Sequence, residues 1–217
     1  MSRMIGKLRT GALTVAFAAL MGCGEEARTP AAVTPTPQLS AAQAEARSEV
    51  PFTRTIALDK SGAVVEVAFD LPPPEPSAKP EVMIGIRIAA ASATEMLQRS
   101  SKVLQGGLPA SVSLQQRVEG MSMPVALVRS SVDLRERLPI GSDGYVPGVT
   151  ATSVDEGSLR RAGLLDERVS YDVLGFARLE HAKPGSYLLR VELKEARPDL
   201  SGYTAELLVA YHNKAKP

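Results

Sequence analysis

Residues 184–212 read PGSYLLRVELKEARPDLSGYTAELLVAYH, and this closing stretch most clearly predicts how the chain folds. It holds two runs in which apolar and polar side chains alternate, with a polar segment containing Pro198 and Gly202 between them. Alternation with a period of two is typical of a strand that buries one face. The apolar positions are Tyr187, Leu189, Val191 and Leu193 in the first run and Ala205, Leu207, Val209 and Tyr211 in the second.

Earlier parts of the chain repeat this alternation. Residues 65–71 and 82–88 alternate in the same way, and residues 125–128 and 169–176 are shorter strand candidates. Strands with one apolar face suit two sheets packed face to face. We therefore predict a mainly β domain, an antiparallel β-sandwich of the Ig-like or jelly-roll-like kind, with a closed β-barrel as the alternative.

Two segments predict short helices. Residues 94–105 are followed by a pair of glycines that would end the helix, and Met96, Leu97, Ser100 and Leu104 fall on one of its faces. Residues 153–156, Ser-Val-Asp-Glu, match a capping box that leads into a second helix, with Gly163 as its C-terminal cap.

The N-terminus reads MSRMIGKLRTGALTVAFAALMGC and has the pattern of an export signal. A basic start precedes an apolar stretch, residues 11–21, that is shorter than the ~20 residues needed to span a bilayer. The stretch ends in Leu20-Met21-Gly22-Cys23, which resembles the lipobox of bacterial lipoproteins. The resemblance implies cleavage before Cys23, a lipid on its thiol and acylation of the new amine, for example with palmitate. Gly24 in place of an aspartate favours the outer membrane, with the protein facing the periplasm.

These features divide the chain into three parts. Residues 1–22 are the predicted lipoprotein signal peptide, residues 23–50 the lipidated Cys23 and a Pro/Ala-rich tether, and residues 51–217 the β-sandwich domain. Within the tether, Ser40 and Gln43 suit a capping box for a short helix.

Composition restricts the chemistry open to the chain. The 217 residues include one cysteine and two histidines, so an intramolecular disulfide and Cys-cluster metal sites are excluded. Loss of residues 1–22 would change the formal charge of +1 to −2, which disfavours nucleic acid as a partner.

The domain also resembles, over residues 52–213, an uncharacterised family known only as a domain of unknown function in Gram-negative lipoproteins. The resemblance lies in TIALDKSGAVVEVAFDL at residues 55–71, in MPVALV at residues 123–128 and above all in the closing segment, with its Pro-Gly-x-Tyr and Pro-Asp-Leu-Ser-Gly motifs. It implies a β-sandwich displayed from a membrane anchor and favours binding over catalysis.

Catalytic and metal-binding motifs are scarce. The sequence has no G-x-S-x-G run, and we expect His181 on an exposed loop and His212 on the polar side of the last strand. Asp143, in Gly-Ser-Asp-Gly, fits a tight turn better than a Ca²⁺ site. We therefore predict neither an enzyme nor a cofactor or metal, apart from the covalent lipid on Cys23.

A long excursion between candidate strands, residues 130–168, is the candidate partner-binding loop. Long ordered loops on rigid scaffolds often carry binding, and Arg and Tyr are enriched at interface hot spots. The residues concerned are Arg135, Arg137, Tyr145, Arg160 and Arg161.

Three functions remain open on the sequence alone. The first is a membrane-anchored periplasmic lipoprotein that binds a protein without catalysis, for example as an immunity or envelope-assembly protein. The others are a structural accessory subunit of an envelope complex and, least favoured, an envelope hydrolase. The expected partners are the membrane, through the lipid, and a protein.

Overall fold

The structure is a computed structural model and describes residues 38–76 and 78–213. The predicted signal peptide, the lipidation site Cys23 and most of the predicted tether lie outside the described residues. In chain order the elements are α1 (Ala41–Ala46), β1 (Phe52–Thr55), β2 (Val64–Leu71), β3 (Ala78–Ala90), α2 (Ala93–Gly106), β4 (Ala110–Val118), β5 (Met121–Pro124), β6 (Val128–Ser130), β7 (Arg137–Pro139), β8 (Tyr145–Val146), β9 (Thr150–Ala151), α3 (Glu156–Arg161), β10 (Ser170–Leu179), β11 (Gly185–Leu193), a 3-10 turn (Pro198–Leu200) and β12 (Thr204–Asn213).

The strands form two antiparallel sheets that pack against each other, which confirms the predicted β-sandwich. The seven-stranded sheet has the order β1-β12-β3-β10-β6-β7, with β9 also on β10. The five-stranded sheet has the order β2-β11-β4-β5, with β8 also on β4. Over the described residues neither sheet closes on itself, so the barrel alternative is wrong.

The main core lies between the two sheets. It consists of the apolar side chains that point inward from the alternating strands. Among them, Ile84 and Ile86 of β3 and Leu189 of β11 are fully buried. Burial of each large side chain contributes ~1.5–3 kcal/mol before the entropy of ordering is subtracted. The aromatic rings of Phe52 and Tyr187 flank that of Phe69, with ring centroids 5.2 and 5.6 Å away, and join β1 to the five-stranded sheet.

A second, smaller core covers the outer face of the seven-stranded sheet. Met83 of β3 and Leu208 of β12 point outward there and are buried by Leu159 of α3 and Leu164 just after it. Leu39 packs against this core, and its amide donates to the carbonyl of Gly163. We call α3, residues 152–165 around it and residues 38–46 the outer layer. The described end of the segment assigned to the tether therefore lies against the sandwich.

The helices follow the predicted positions with two differences. α1 begins with the expected Ser40–Gln43 capping box. α2 matches the predicted helix; Ser100 and Val103 are its buried residues, whereas Leu97 and Leu104, on the face predicted to carry Ser100, are exposed. The cause is the way α2 lies across the end of the sheets, with only a narrow face turned inward. α3 begins after Asp155, so the capping box expected from Ser153 is not the one used.

The excursion of residues 130–168 runs over both sheets. β7 pairs with β6 in the seven-stranded sheet, β8 pairs with β4 in the five-stranded sheet, and β9 returns to β10. The chain then forms α3 of the outer layer. Much of the excursion is thus paired with one sheet or the other, and its first loop, residues 131–136, is almost entirely exposed.

Candidate functional site

An apolar groove of about 570 Å³ lies at the end of the sandwich where α2 packs. Its walls are the C-terminal turn of α2, the end of β6 with the loop that follows it, and residues 147–151. We call it the α2 groove. The exposed apolar side chains that line it are Leu104, Val132 and Leu134.

The loop of residues 131–136 displays two of these side chains. Val132 is 91% exposed and Leu134 is 54% exposed. The loop is held by its own polar groups: the Ser131 hydroxyl donates to Asp133 Oδ1 at 2.6 Å and accepts from the Glu136 amide at 3.0 Å. These bonds also lower the pKa of Asp133, chiefly through the Ser131 hydroxyl and next through the Arg135 amide. The loop thus presents apolar side chains from a hydrogen-bonded frame.

Leu134 adopts a backbone conformation that normally favours glycine. Its φ is +62°, in the left-handed region, where an L-residue with a side chain is strained by about 1–2 kcal/mol. The side chain at this position gains little from burial, because half of it is exposed. A strained, apolar and exposed residue is a reason to look for function at that position.

Among the described residues, Arg129 is the cation that lines the α2 groove. Its guanidinium has no ion-pair or hydrogen-bond partner in this part of the chain. Lys102 and Arg135 do not line the groove: Lys102 donates to the Asp199 carbonyl at 2.6 Å, and Arg135 lies 3.7 Å from Asp133 at the surface. The groove therefore combines apolar walls with one unpaired positive charge.

The five residues expected from the sequence lie in separate places. Arg135 belongs to the projecting loop of the groove, whereas Tyr145 is half-exposed on β8 of the other sheet. Arg160 pairs with Glu167 beside a different cavity. Arg161 lies 3.5 Å from Glu75, and Arg137 binds carboxylates of the seven-stranded sheet, as described next.

Arg137 belongs to a half-buried ionic cluster on β3, β7 and β10. Its guanidinium lies 3.1 Å from Glu81 and 2.5 Å from Glu180, and Arg178 donates to Glu81 at 2.9 Å. Burial acts to raise the pKa of Glu81, but hydrogen bonds from Arg178 and Arg137 outweigh it and hold that pKa below its ordinary value. The cluster fastens β7, and with it the projecting loop, to the sheet.

The two histidines lie away from the α2 groove. His181 is exposed in the turn before β11, at the place expected. His212 is half-buried, and burial lowers the pKa of its ring. Neither lines the α2 groove or the cavity beneath the outer layer. Within residues 38–76 and 78–213, no group of three or more His, Cys, Asp or Glu side chains is placed to hold a metal ion.

A second cavity, of about 300 Å³, lies beneath the outer layer. Arg87 lines it and is almost fully buried, donating to Glu206 through Nε at 2.9 Å and to the Leu164 carbonyl through Nη1 at 2.6 Å. Its guanidinium also lies 4.3 Å from the ring centroid of Tyr171. Nε, Nη1 and Nη2 each donate to a structural partner, so Arg87 holds the outer layer to the sheet.

Sequence reasoning did not single out the apolar residues of the α2 groove. Leu104 fell on the face of the predicted helix that also carries Met96 and Ser100, and Val132 and Leu134 stand in a mostly polar stretch. The one available signal was a Val-x-Leu pair inside a turn-rich segment, where few apolar residues are expected.

No family model and no curated protein matches the chain. A crystal structure of a protein from Sulfurospirillum deleyianum aligns with 76% of this chain and 98% of its own length, at 13% sequence identity and a TM-score of 0.42. The fold described above rests on the strand pairings, not on this similarity. Among the described residues, no helix is long and apolar enough to cross a membrane.

Proposed function

We propose that the protein is a lipid-anchored envelope protein that binds another protein through the α2 groove, without catalysis. The observation that carries the proposal is the exposure of Leu104, Val132 and Leu134 around one concavity on a rigid scaffold. Exposed apolar patches with polar rims mark interaction sites. The lipobox at Leu20-Met21-Gly22-Cys23 supports the anchor, since two or more acyl chains give stable attachment.

The chemistry of the groove favours a particular kind of contact. An apolar side chain from the partner would fill the space between Leu104 and Leu134, and a carboxylate beside it would meet the unpaired Arg129. Charge-assisted hydrogen bonds to arginine are among the stronger polar contacts in interfaces. The preferred partner segment is therefore apolar with at least one acidic residue.

Site-specific photo-crosslinking in the source organism tests the proposal. A photoreactive residue at position 132 should form a discrete adduct with one envelope protein, and the double variant Val132→Ser/Leu134→Ser should reduce capture at least tenfold, or about 1.4 kcal/mol. Val64, exposed on β2 of the other sheet, is the matched control position for both the crosslinker and the serine substitution.

Three results would contradict the proposal. An adduct that forms equally well from position 64 would show that the partner does not bind specifically at the α2 groove. Turnover of labelled peptidoglycan or lipid by the purified chain would favour the hydrolase. The anchor is tested separately: Cys23→Ala should abolish labelling with a palmitate analogue, and persistent labelling would refute lipidation at Cys23.

A further inference from the structure

At the end of the sandwich opposite α2, β4 and β5 form a hairpin whose apolar side chains are uncovered. Val118 lies directly opposite Met121, and Gln116 lies opposite Met123, so these side chains share one face. The same face of β4 carries Val112 and Leu114 into the main core further along. We call residues 118–123 the methionine hairpin.

The methionine hairpin extends past the region that the second sheet covers. Met121 is 61% exposed and Met123 is 53% exposed, whereas Val112 and Leu114 on the same face are buried. Its turn is tight, since Glu119 and Gly120 both have positive φ values, of 52° and 82°. The result is a short, rigid hairpin with one apolar side and no fold partner among the described residues.

The opposite side of this hairpin is polar and partly basic. Arg117 points away from the methionines, opposite Ser122, and is exposed without an ion pair among the described residues. Glu119 at the tip is exposed and carries the opposing negative charge. An apolar face backed by a polar face that carries a cation is the arrangement of segments that bind at a lipid–water interface.

We propose that the methionine hairpin inserts its apolar side into the lipid surface to which the protein is anchored. This inference rests on the lipid anchor of the proposed function. The three side chains line neither the α2 groove nor the cavity beneath the outer layer, so they offer a convex surface and not a pocket. Methionine has three rotatable bonds and adapts to irregular surroundings, which suits a fluid partner.

The length of the chain between the anchor and the fold keeps this contact within reach. Residues 23–37, which precede the described part, number fifteen and can span at most about 50 Å when fully extended. Attachment through Cys23 would therefore hold the hairpin at a high effective concentration near the lipid. A weak contact, too small to recruit a free protein, is sufficient to orient a tethered one.

Fluorescence quenching tests the proposal, because the sequence has no tryptophan and a single cysteine. The chain from residue 23 to residue 217 is coupled through Cys23 to a maleimide lipid in vesicles of phosphatidylethanolamine and phosphatidylglycerol, with or without brominated acyl chains. Met121→Trp and the control Leu97→Trp, at the α2 end, each introduce one reporter at an exposed position. Coupling at Cys23 makes the test independent of whether cells lipidate it.

We expect brominated chains to quench the tryptophan at position 121 at least about threefold more than the one at position 97, since interfacial insertion reaches ~5–10 Å into the lipid. Adding Met123→Asp should remove that difference, and Val64→Asp should not. Equal quenching at the two positions would overturn the proposal. So would an unquenched position 121 in a chain that forms a dimer on the vesicles, which would assign the hairpin to a second copy.

Discussion

The α2 groove and the methionine hairpin are both apolar and exposed, but they differ in shape and in how they are built. Among the described residues nine large apolar side chains are exposed, and seven of them belong to these two ends of the molecule: Leu97, Leu104, Val132 and Leu134 at one, and Val118, Met121 and Met123 at the other. The ends are separated by the length of β4, about 27 Å at 3.4 Å per residue.

The difference lies in what each surface can recognise. The α2 groove is concave and assembled from a helix, a strand end and two loops, so it has a defined shape and a charged group at a fixed place. The methionine hairpin is convex and made of one strand pair, so it offers apolar area without a shape to match. Concave sites with few polar groups suit a specific ligand. An apolar surface without a defined shape suits a fluid partner such as lipid.

The largest effect is expected at neither end. Arg87→Met should reduce the free energy of unfolding by ~3 kcal/mol, because it leaves the carboxylate of Glu206 and the Leu164 carbonyl without their donor beneath the outer layer. Chemical denaturation measures this. The matched control is Arg190→Met, whose exposed pair with Glu66 should contribute less than ~1 kcal/mol.

Arg87→Met also tests whether the two ends are independent of the outer layer. Below its lowered midpoint of unfolding, the variant should keep both the adduct from position 132 and the quenching at position 121. Loss of either signal in a folded Arg87→Met protein would show that the outer layer shapes that surface.

A smaller effect contrasts the two turns at the ends. Leu134→Gly should leave stability unchanged or raise it by up to ~1 kcal/mol, since glycine tolerates the positive φ, and should lower capture of the partner about tenfold. Gly120→Ala, in the hairpin turn at φ +82°, should instead destabilise the protein by ~1 kcal/mol. Thermal melts compare the two. A loss of stability in Leu134→Gly would mean that the leucine serves the fold.

The smallest expected effect is a loss of stability at low pH, which should occur beside the α2 groove and not at the methionine hairpin. The pKa of Glu81 is lower in the fold than its ordinary value of 4.5, so its ion pairs add stability above that pH. This stability is lost as pH falls below 4.5 toward the lowered pKa. Hydrogen-exchange protection of residues 128–139 should fall about two- to threefold between pH 7 and pH 4, since protonating a carboxyl with an ordinary pKa of 4.5 limits the loss to less than ~0.8 kcal/mol at pH 4.

The control for this prediction is Glu81→Gln, in which protection of residues 128–139 should be equally low at both pH values. The methionine hairpin, which carries none of the residues of the ionic cluster, should show no change over the same range. A uniform loss of protection across both ends would indicate global unfolding and would contradict a local role for Glu81.

The sandwich was accessible from the sequence because its strands obey a period of two. The alternations in residues 65–71, 82–88, 184–193 and 204–212 fall inside β2, β3, β11 and β12, and Gly106-Gly107 correctly marked the end of α2. The exposed surfaces were not accessible. Leu97 and Val132 differ from core residues only in what covers them, which is decided by contacts distant in the chain. Likewise, the sequence around Met121 resembles that of a buried strand. The neighbouring residues do not show that the other sheet ends before it covers Met121.

If the chain is anchored through Cys23 as proposed, the outer layer would give the segment that precedes the domain a mechanical role. A pull on the N-terminal side of Leu39 first meets its hydrogen bond to Gly163 and the small contact between α1 and β1, and only afterwards the main core at Val50. Peeling away residues 38–49 would add roughly 40 Å of reach and leave the main core between the two sheets closed. Under force the connection to the membrane would therefore lengthen before the domain unfolds. The contacts of residues 38–49 would break first, and the β-sandwich would stay folded.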